Sequence, residues 1–170
     1  MKIEVIVGNI VDQTTDVIVN AANERMRGGG GVDGAIHRAA GPRLLAYLEK
    51  MNAYCPTGDV LVTPGFDLKC KHIYHTVAPI YGRDPETQDA LMRSCFQTTL
   101  GVAYGLAVSL PALGCGAYGW PPSKVSELLA DVVSTTEEVL LPRLIRVVCF
   151  DETTKAAFVE KLQHLQGFVK

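Results

Sequence analysis

What the sequence lacks narrows its class before any motif is read. It has no surplus of positive charge: 16 lysines and arginines stand against 18 aspartates and glutamates, a formal net charge of −2. Generic nucleic-acid binding leaves a basic footprint, so that class is set aside, and a phosphorylated ligand would have to be held mainly by backbone N–H groups. No Cys-x-x-Cys pair occurs, and the cysteines number five, an odd count. That argues against a disulfide framework and fits a reducing compartment, so a cytoplasmic location is expected. The opening Met1 to Val7 is too short an apolar run for a signal peptide. Repeats, linkers and low-complexity segments are absent, so a single domain over 1–170 is expected. Charge itself is missing from Leu100 to Trp120, a length that suits a membrane span. Pro111 and five glycines interrupt that stretch, and so broken a helix would leave backbone groups unpaired in lipid; no membrane association is expected.

What is present is material for a core, 48% hydrophobic residues, arranged as alternating strand and helix patterns. Ile3 to Val7, Asp16 to Asn20, Val60 to Thr63, Ile73 to Val77, Val108 to Ala112 and Leu144 to Phe150 read as strands. The continuous apolar character of the second suggests burial on both faces. Helices are expected over a short stretch from Ala35 to Ala40, from Pro42 to about Met51, from Pro85-Glu86 to about Tyr104, from a cap at Ser123 to near Leu141, and from Glu152 to Gln166. Such alternation implies an α/β sandwich around a largely parallel sheet.

The chain is organised around Asn20-Ala-Ala-Asn23 and the run Gly28-Gly-Gly-Gly31-Val32-Asp33-Gly34-Ala-Ile-His37. Val17-Ile18-Val19 leads in and a helical segment follows, so the glycines sit where a strand hands over to a helix. Residues without a Cβ let backbone N–H groups approach a ligand, and a helix N-terminus adds a positive dipole end. Together they form an anion site suited to phosphate. It is not a Walker A loop, because no Gly-Lys-Ser/Thr follows, and Gly-x-Gly-x-x-Gly is matched only trivially within a poly-glycine run. A second Gly-rich loop, 114–119, also follows a strand. Ligands of open α/β sheets bind beyond the carboxyl ends of strands, so the two loops could grip a diphosphate from both sides.

These residues resemble the macrodomains, specifically the MacroD-type ADP-ribosyl hydrolases. The likeness is carried by Asn20-Ala-Ala-Asn23 and the run from Gly28 through Gly41, with Gly8-Asn9-Ile10 upstream, Cys55-Pro-Thr-Gly58 and His75-Thr-Val-Ala-Pro79 mid-chain, and Gly116-Ala-Tyr-Gly-Trp-Pro121 later. It spans nearly the whole chain. It implies a three-layer α/β/α sandwich with a mixed, largely parallel sheet of about six strands. It also implies an enzyme that binds ADP-ribose and cleaves esters at its distal ribose without metal or other cofactor. Its substrates would be mono-ADP-ribose on acidic side chains of proteins and O-acetyl-ADP-ribose, so its partners would be ADP-ribose, its esters and ADP-ribosylated proteins. Two rivals stand beside this reading: a module that binds ADP-ribose without turnover, and a phosphatase acting on ADP-ribose 1″-phosphate.

By resemblance, Asn23 orients the distal ribose and Asp33 is the catalytic aspartate, placing or deprotonating a water. On their own terms asparagines at a strand end make turn hydrogen bonds, and a carboxylate at a helix N-terminus serves as a cap. A helix N-terminus lowers a carboxylate pKa while a nearby diphosphate raises it, so Asp33 is expected to orient the water more than deprotonate it, with the substrate's phosphate oxygens sharing that role. Asn20 reads as scaffold for the loop, and the resemblance counts Asn20 and Ala21 among the ADP-ribose-binding residues. His37, four residues after Asp33 on one helix face, is a packed histidine bonding backbone, a relay, or a contact to Asp33. Gly29, Gly30, Gly31 and Val32 on one side, and Gly114, Cys115, Gly116 and Ala117 on the other, would embrace the ligand, with Tyr118 packed against the distal ribose and Trp120 anchoring the loop from beneath. Gly8, Asn9 and Ile10 would face adenine.

The sequence departs from the family twice. Asn9 stands where an aspartate is usual, and an amide accepts a hydrogen bond without charge assistance. Gly114-Cys115 replaces a common Ser-Thr, removing two hydroxyl donors. Cys115 has no identifiable catalytic partner, and neighbouring phosphates disfavour a thiolate. Cys70, His72 and His75 hint at a metal, but on a strand His72 and His75 face opposite sides, so no metal site is expected.

Overall fold

The computed structural model describes residues 1–170. In chain order the elements are β1 (Lys2–Val7), a 3-10 turn (Ile10–Asp12), β2 (Val17–Ala21), α1 (Gly31–Ala40), α2 (Pro42–Lys50), β3 (Val60–Pro64), β4 (His72–Thr76), α3 (Gln88–Val102), β5 (Ala107–Pro111), α4 (Pro122–Thr135), a second 3-10 turn (Glu138–Leu140), β6 (Leu144–Cys149) and α5 (Glu152–Leu162). The strands pair in the order β1-β6-β5-β2-β4-β3. All pairs are parallel except β3 with β4, so the sheet is mixed and largely parallel, as expected.

Period-two alternation sorts β2 between two cores. Val17 and Val19 pack in a cluster with Phe96 of α3, Leu129 of α4 and Phe158 of α5. Ile18 points the other way, into a cluster with Ile36 of α1 and Leu44 and Leu48 of α2. Both faces of the strand are therefore buried and the sheet lies between two helical layers. Leu44 and Leu48 are each 0% exposed, and burial of such a side chain is worth about 2 kcal/mol.

The helix ends differ from the expected ones for local reasons. α1 starts at Gly31, inside the glycine run rather than at Ala35. α4 begins at Pro122 with Pro121 as its N-cap, so Ser123 caps nothing. It stops at Thr135, short of Leu141, where side-chain hydroxyls bond back along the helix: Thr135 Oγ1 donates to Asp131 O at 2.7 Å and Thr136 Oγ1 to Val132 O at 2.6 Å. Such bonds offer the chain an alternative to the helix ladder. α3 begins at Gln88, after a turn in which Asp84 O accepts from Thr87 N and Gln88 N. α5 ends at Leu162 rather than Gln166.

Candidate functional site

The parallel strands β1, β2, β5 and β6 all deliver their carboxyl ends to one edge of the sheet. There a cleft of about 420 Å³ opens. β2 contributes Ala21 and the following Ala22 and Asn23; α1 brings Gly31, Val32 and Asp33, with Gly30 just before it. Gly114, Cys115, Gly116, Ala117 and Tyr118 line the opposite wall, and Gly8 and Ile10 close one end. Both Gly-rich loops thus face one space, and most of the expected ligand contacts are brought together.

Three are not: Asn9, Asn20 and Gly29 do not line the cleft, and neither does His37, which was expected behind Asp33 and not against the ligand. Asn9 turns its Oδ1 to Val11 N at 3.2 Å, capping the 3-10 turn. Asn20 is fully buried behind Asp33. Gly29 is exposed on the loop, outside the cleft lining: a Cβ there would stand 3.2 Å from Asp33 Oδ2 and 3.5 Å from Asn23 Nδ2. A side chain there would crowd the Asp33 carboxyl.

Asp33 occupies the first turn of α1, yet it is no cap. The N-cap is Gly30, and no side chain bonds the free helix N–H groups. Asp33 is 6% exposed. Asn20 Nδ2 donates to its Oδ1 at 2.7 Å, whereas Oδ2 has no hydrogen-bond partner in the protein. Burial disfavours the charged form and pushes the Asp33 carboxyl above its ordinary value; the Asn20 hydrogen bond and the neighbouring His37 pull the other way without cancelling it. The sequence set a lowering by the helix N-terminus against a raising by a nearby diphosphate; burial is the larger influence in the structure, and it raises the carboxyl. His37 bonds no backbone through its ring: its Nε2 lies 3.5 Å from Asp33 Oδ1, at the outer limit of a hydrogen bond.

Behind Asp33 runs a buried polar chain. Asn20 and His75 are register partners on β2 and β4, and Asn20 Nδ2 reaches His75 Nδ1 at 3.0 Å. An amide nitrogen only donates, so Nδ1 is bare and Nε2 carries the proton. Nε2 then donates to Thr63 Oγ1 at 2.9 Å, and Thr63 Oγ1 donates to Pro64 O at 3.1 Å. His72 faces outward while His75 is 0% exposed, so the two diverge as strand alternation requires.

Burial drives the His75 imidazole down to about 3 from its ordinary 6.5. An unfolded chain therefore takes up a proton near pH 6.5 that the folded chain refuses. The stability His75 contributes is complete above pH 6.5 and is lost as pH falls towards 3. Asp33, with its carboxyl raised, works in the opposite sense. Between pH 7 and pH 5 the parent should lose about 2 kcal/mol of unfolding free energy, read from urea midpoints. His75→Gln should be less stable at pH 7 and should lack this slope. A parent curve flat over that window would contradict the assignment.

On the opposite wall, Trp120 is buried under the loop and donates its Nε1–H to Pro79 O at 2.8 Å. Gly114, at φ +73, has left-handed backbone, and a Cβ there would stand 2.6 Å from Trp120 Cδ1; this glycine lets the loop sit on the indole. Burial drives the Cys115 thiol up to about 12, and a protonated thiol is no nucleophile. At the loop rim opposite, Asn23 holds its own turn, accepting from Met26 N at 3.1 Å and donating to Gly28 O at 2.9 Å; its second amide hydrogen remains available to the cleft.

The sequence reading missed Phe150, Asp151 and Thr154, which also line the cleft. They follow β6, and the rule that directs ligands to strand carboxyl ends would have found them had it been applied beyond the Gly-rich loops. Gly8 N donates to Cys149 O at 3.0 Å, which joins this turn to the Gly8 end. No group of His, Cys, Asp and Glu side chains is arranged to hold a metal ion, and no helix is long and apolar enough to cross a membrane.

The Macro domain family model matches residues 19–129. The chain is 38% identical over 173 residues to the O-acetyl-ADP-ribose deacetylase of Escherichia coli strain K12, covering 98% of this chain and 97% of that protein. It is 39% identical over 171 residues to a Macro domain-containing protein of Xanthomonas axonopodis, covering 95% and 96% respectively. Among solved structures, a variant of the Oceanobacillus iheyensis macrodomain with ADPR superposes with a TM-score of 0.89 at 37% identity, covering 95% of this chain and 92% of that one. Strand order, the paired Gly-rich walls and these full-length likenesses agree, and the chain belongs to the macrodomain family.

Proposed function

We propose that the cleft binds ADP-ribose and that the chain hydrolyses esters at the distal ribose, both O-acetyl-ADP-ribose and ADP-ribose esterified to acidic side chains of proteins. One observation carries the catalytic part: the buried Asp33 carboxylate lines the cleft, fixed through Oδ1 by Asn20, with Oδ2 unpartnered. Burying a carboxylate is costly, and beside a diphosphate it repels the ligand. A module that only binds gains nothing from it, whereas a hydrolase gains a base. With its pKa raised, Asp33 takes a proton from water more readily than an exposed carboxylate would. Water oxygen bonds to the acyl carbon, the bond from that carbon to the ribose oxygen breaks, and the ribose oxygen ends protonated. The products are ADP-ribose and a carboxylic acid.

The two Gly-rich walls hold the diphosphate by backbone N–H groups, and the α1 N-terminus favours its charge. At the Gly8 end, Asp151 offers a carboxylate in place of the one that Asn9 lacks. Its Oδ1 accepts from Thr154 N at 2.7 Å, and that bond holds the carboxyl below its ordinary value.

The test follows free ADP-ribose on incubation with O-acetyl-ADP-ribose and with a protein carrying ester-linked ADP-ribose, alongside calorimetric titration with ADP-ribose. Both esters should be cleaved, and ADP-ribose should raise the melting temperature by mass action. Binding heat without product would leave a reader module. Phosphate release from ADP-ribose 1″-phosphate with both esters intact would leave the phosphatase. No heat and no thermal shift at millimolar ADP-ribose would end the reading altogether.

A further inference from the structure

Beyond the Asn23 end of the cleft lies a second concavity of about 460 Å³, and the two share Asn23, Ala78 and Tyr118 as a common wall. That wall is tied in place: Tyr81 N donates to Tyr118 O at 2.9 Å, and the Tyr81 ring lies 5.0 Å from the Trp120 ring. The second concavity has a buried apolar floor at Val77 and Ala78, and Arg25 and Arg83 stand at its edge. Neither arginine makes an ion pair, whereas Arg43, Arg93, Arg143 and Arg146 each do. Two acids share the concavity. Glu24 is engaged, accepting from Thr57 Oγ1 at 2.7 Å and Tyr54 OH at 3.2 Å, and Asp84 is exposed on its turn.

Asn23 and Asp33 mark where the ester reacts. The acyl side of that ester must leave the cleft past the common wall, because the ADP-ribose side fills the space between the Gly-rich loops. Resting on the hydrolase reading above, we infer that the second concavity is the acceptor-side site: it receives the polypeptide whose side-chain carboxyl carries the ester, and its free guanidiniums select an acidic segment. Guanidinium pairs with carboxylate through directed, charge-assisted bonds. An acetyl group carries no carboxylate for either guanidinium to pair with. The site therefore discriminates between the two substrate classes, leaving the small ester to the first cleft alone.

The experiment compares the parent with Arg25→Glu/Arg83→Glu on two esters, O-acetyl-ADP-ribose and an acidic peptide carrying ADP-ribose on a glutamate. A parallel binding arm uses free ADP-ribose and a hydrolysis-resistant, amide-linked ADP-ribosyl form of the same peptide. The double variant should lose at least about tenfold in kcat/KM on the peptide ester and stay within about twofold on the acetyl ester. Free ADP-ribose should bind both proteins alike, and the peptide conjugate should bind the parent more tightly than free ADP-ribose does. Equal losses on both esters, or no loss on either, would overturn the assignment, as would equal affinity of the parent for conjugate and free ADP-ribose. Should the parent cleave neither ester while keeping its preference for the conjugate, the hydrolase reading falls and the acceptor-side site stands.

Discussion

Asp33→Asn will lower ester hydrolysis by roughly 100-fold or more, the usual scale for removing an acid–base group, while ADP-ribose affinity holds or improves. Asparagine keeps the size of the side chain and can still accept from Asn20 Nδ2 where Oδ1 now does, at 2.7 Å. It cannot take a proton. It also removes a negative charge beside the diphosphate, which is why affinity should not fall. Stability separates this role from capping. A capping aspartate lost to alanine costs about 1 kcal/mol, but Asp33 caps nothing, since Gly30 is the N-cap and no side chain bonds the free N–H groups. The asparagine variant should therefore melt no lower than the parent, having shed a buried charge. Single-turnover hydrolysis, calorimetry and thermal melting belong on one folded preparation. Turnover equal to the parent's would remove Asp33 from the chemistry and leave Asn23 and the substrate's own phosphates to account for it.

Gly30→Val will weaken ADP-ribose binding and spare the fold. Gly30 has φ −97 and ψ −172, extended backbone open to any residue, and a Cβ there meets nothing within 4 Å. Valine is thus accommodated, but its branches stand where the ligand must come close to backbone N–H groups. Affinity should weaken by at least about 100-fold, roughly 2.7 kcal/mol. Gly116→Val should behave alike, for its Cβ position is equally open. Gly114→Val is the contrast. Its left-handed φ of +73 and the clash with Trp120 Cδ1 at 2.6 Å should cost stability as well as binding. Circular dichroism with calorimetry distinguishes the cases, and a folded Gly30→Val that binds normally would reduce the glycine run to loop filler.

The architecture was legible because period and punctuation report it directly. Val17-Ile18-Val19 could only be a strand buried on both faces, and alternation of strands with helices required a largely parallel sheet. The two Gly-rich loops following strands located the cleft for the same reason. The electrostatics of Asp33 were not legible. Its position on α1 suggested a lowered carboxyl, but its burial depends on how Asn20 and Gly29 pack around it, and no local pattern encodes that. Nor did spacing reveal the contact between Asn20 and His75, which exists only because β2 and β4 pair in one register. The end of α4 was missed because the three consecutive hydroxyl residues, Ser134, Thr135 and Thr136, were not read as a stop. Their side chains turn back to carbonyls at Asp131 and Val132 instead.

The place of β6 between β1 and β5 has a consequence for the order in which a growing chain completes itself. Lys2 pairs with Leu144, so β1 waits for β6 before it has any neighbour in this sheet. Closing so long a loop costs entropy before any contact rewards it. The segment from β2 through β4 carries its own pairings, including the register that joins Asn20 to His75. A nascent chain that has not reached residue 144 thus already holds the strands behind Asp33, whereas β1, which leads into the Gly8 end of the cleft, is still unpaired on both edges.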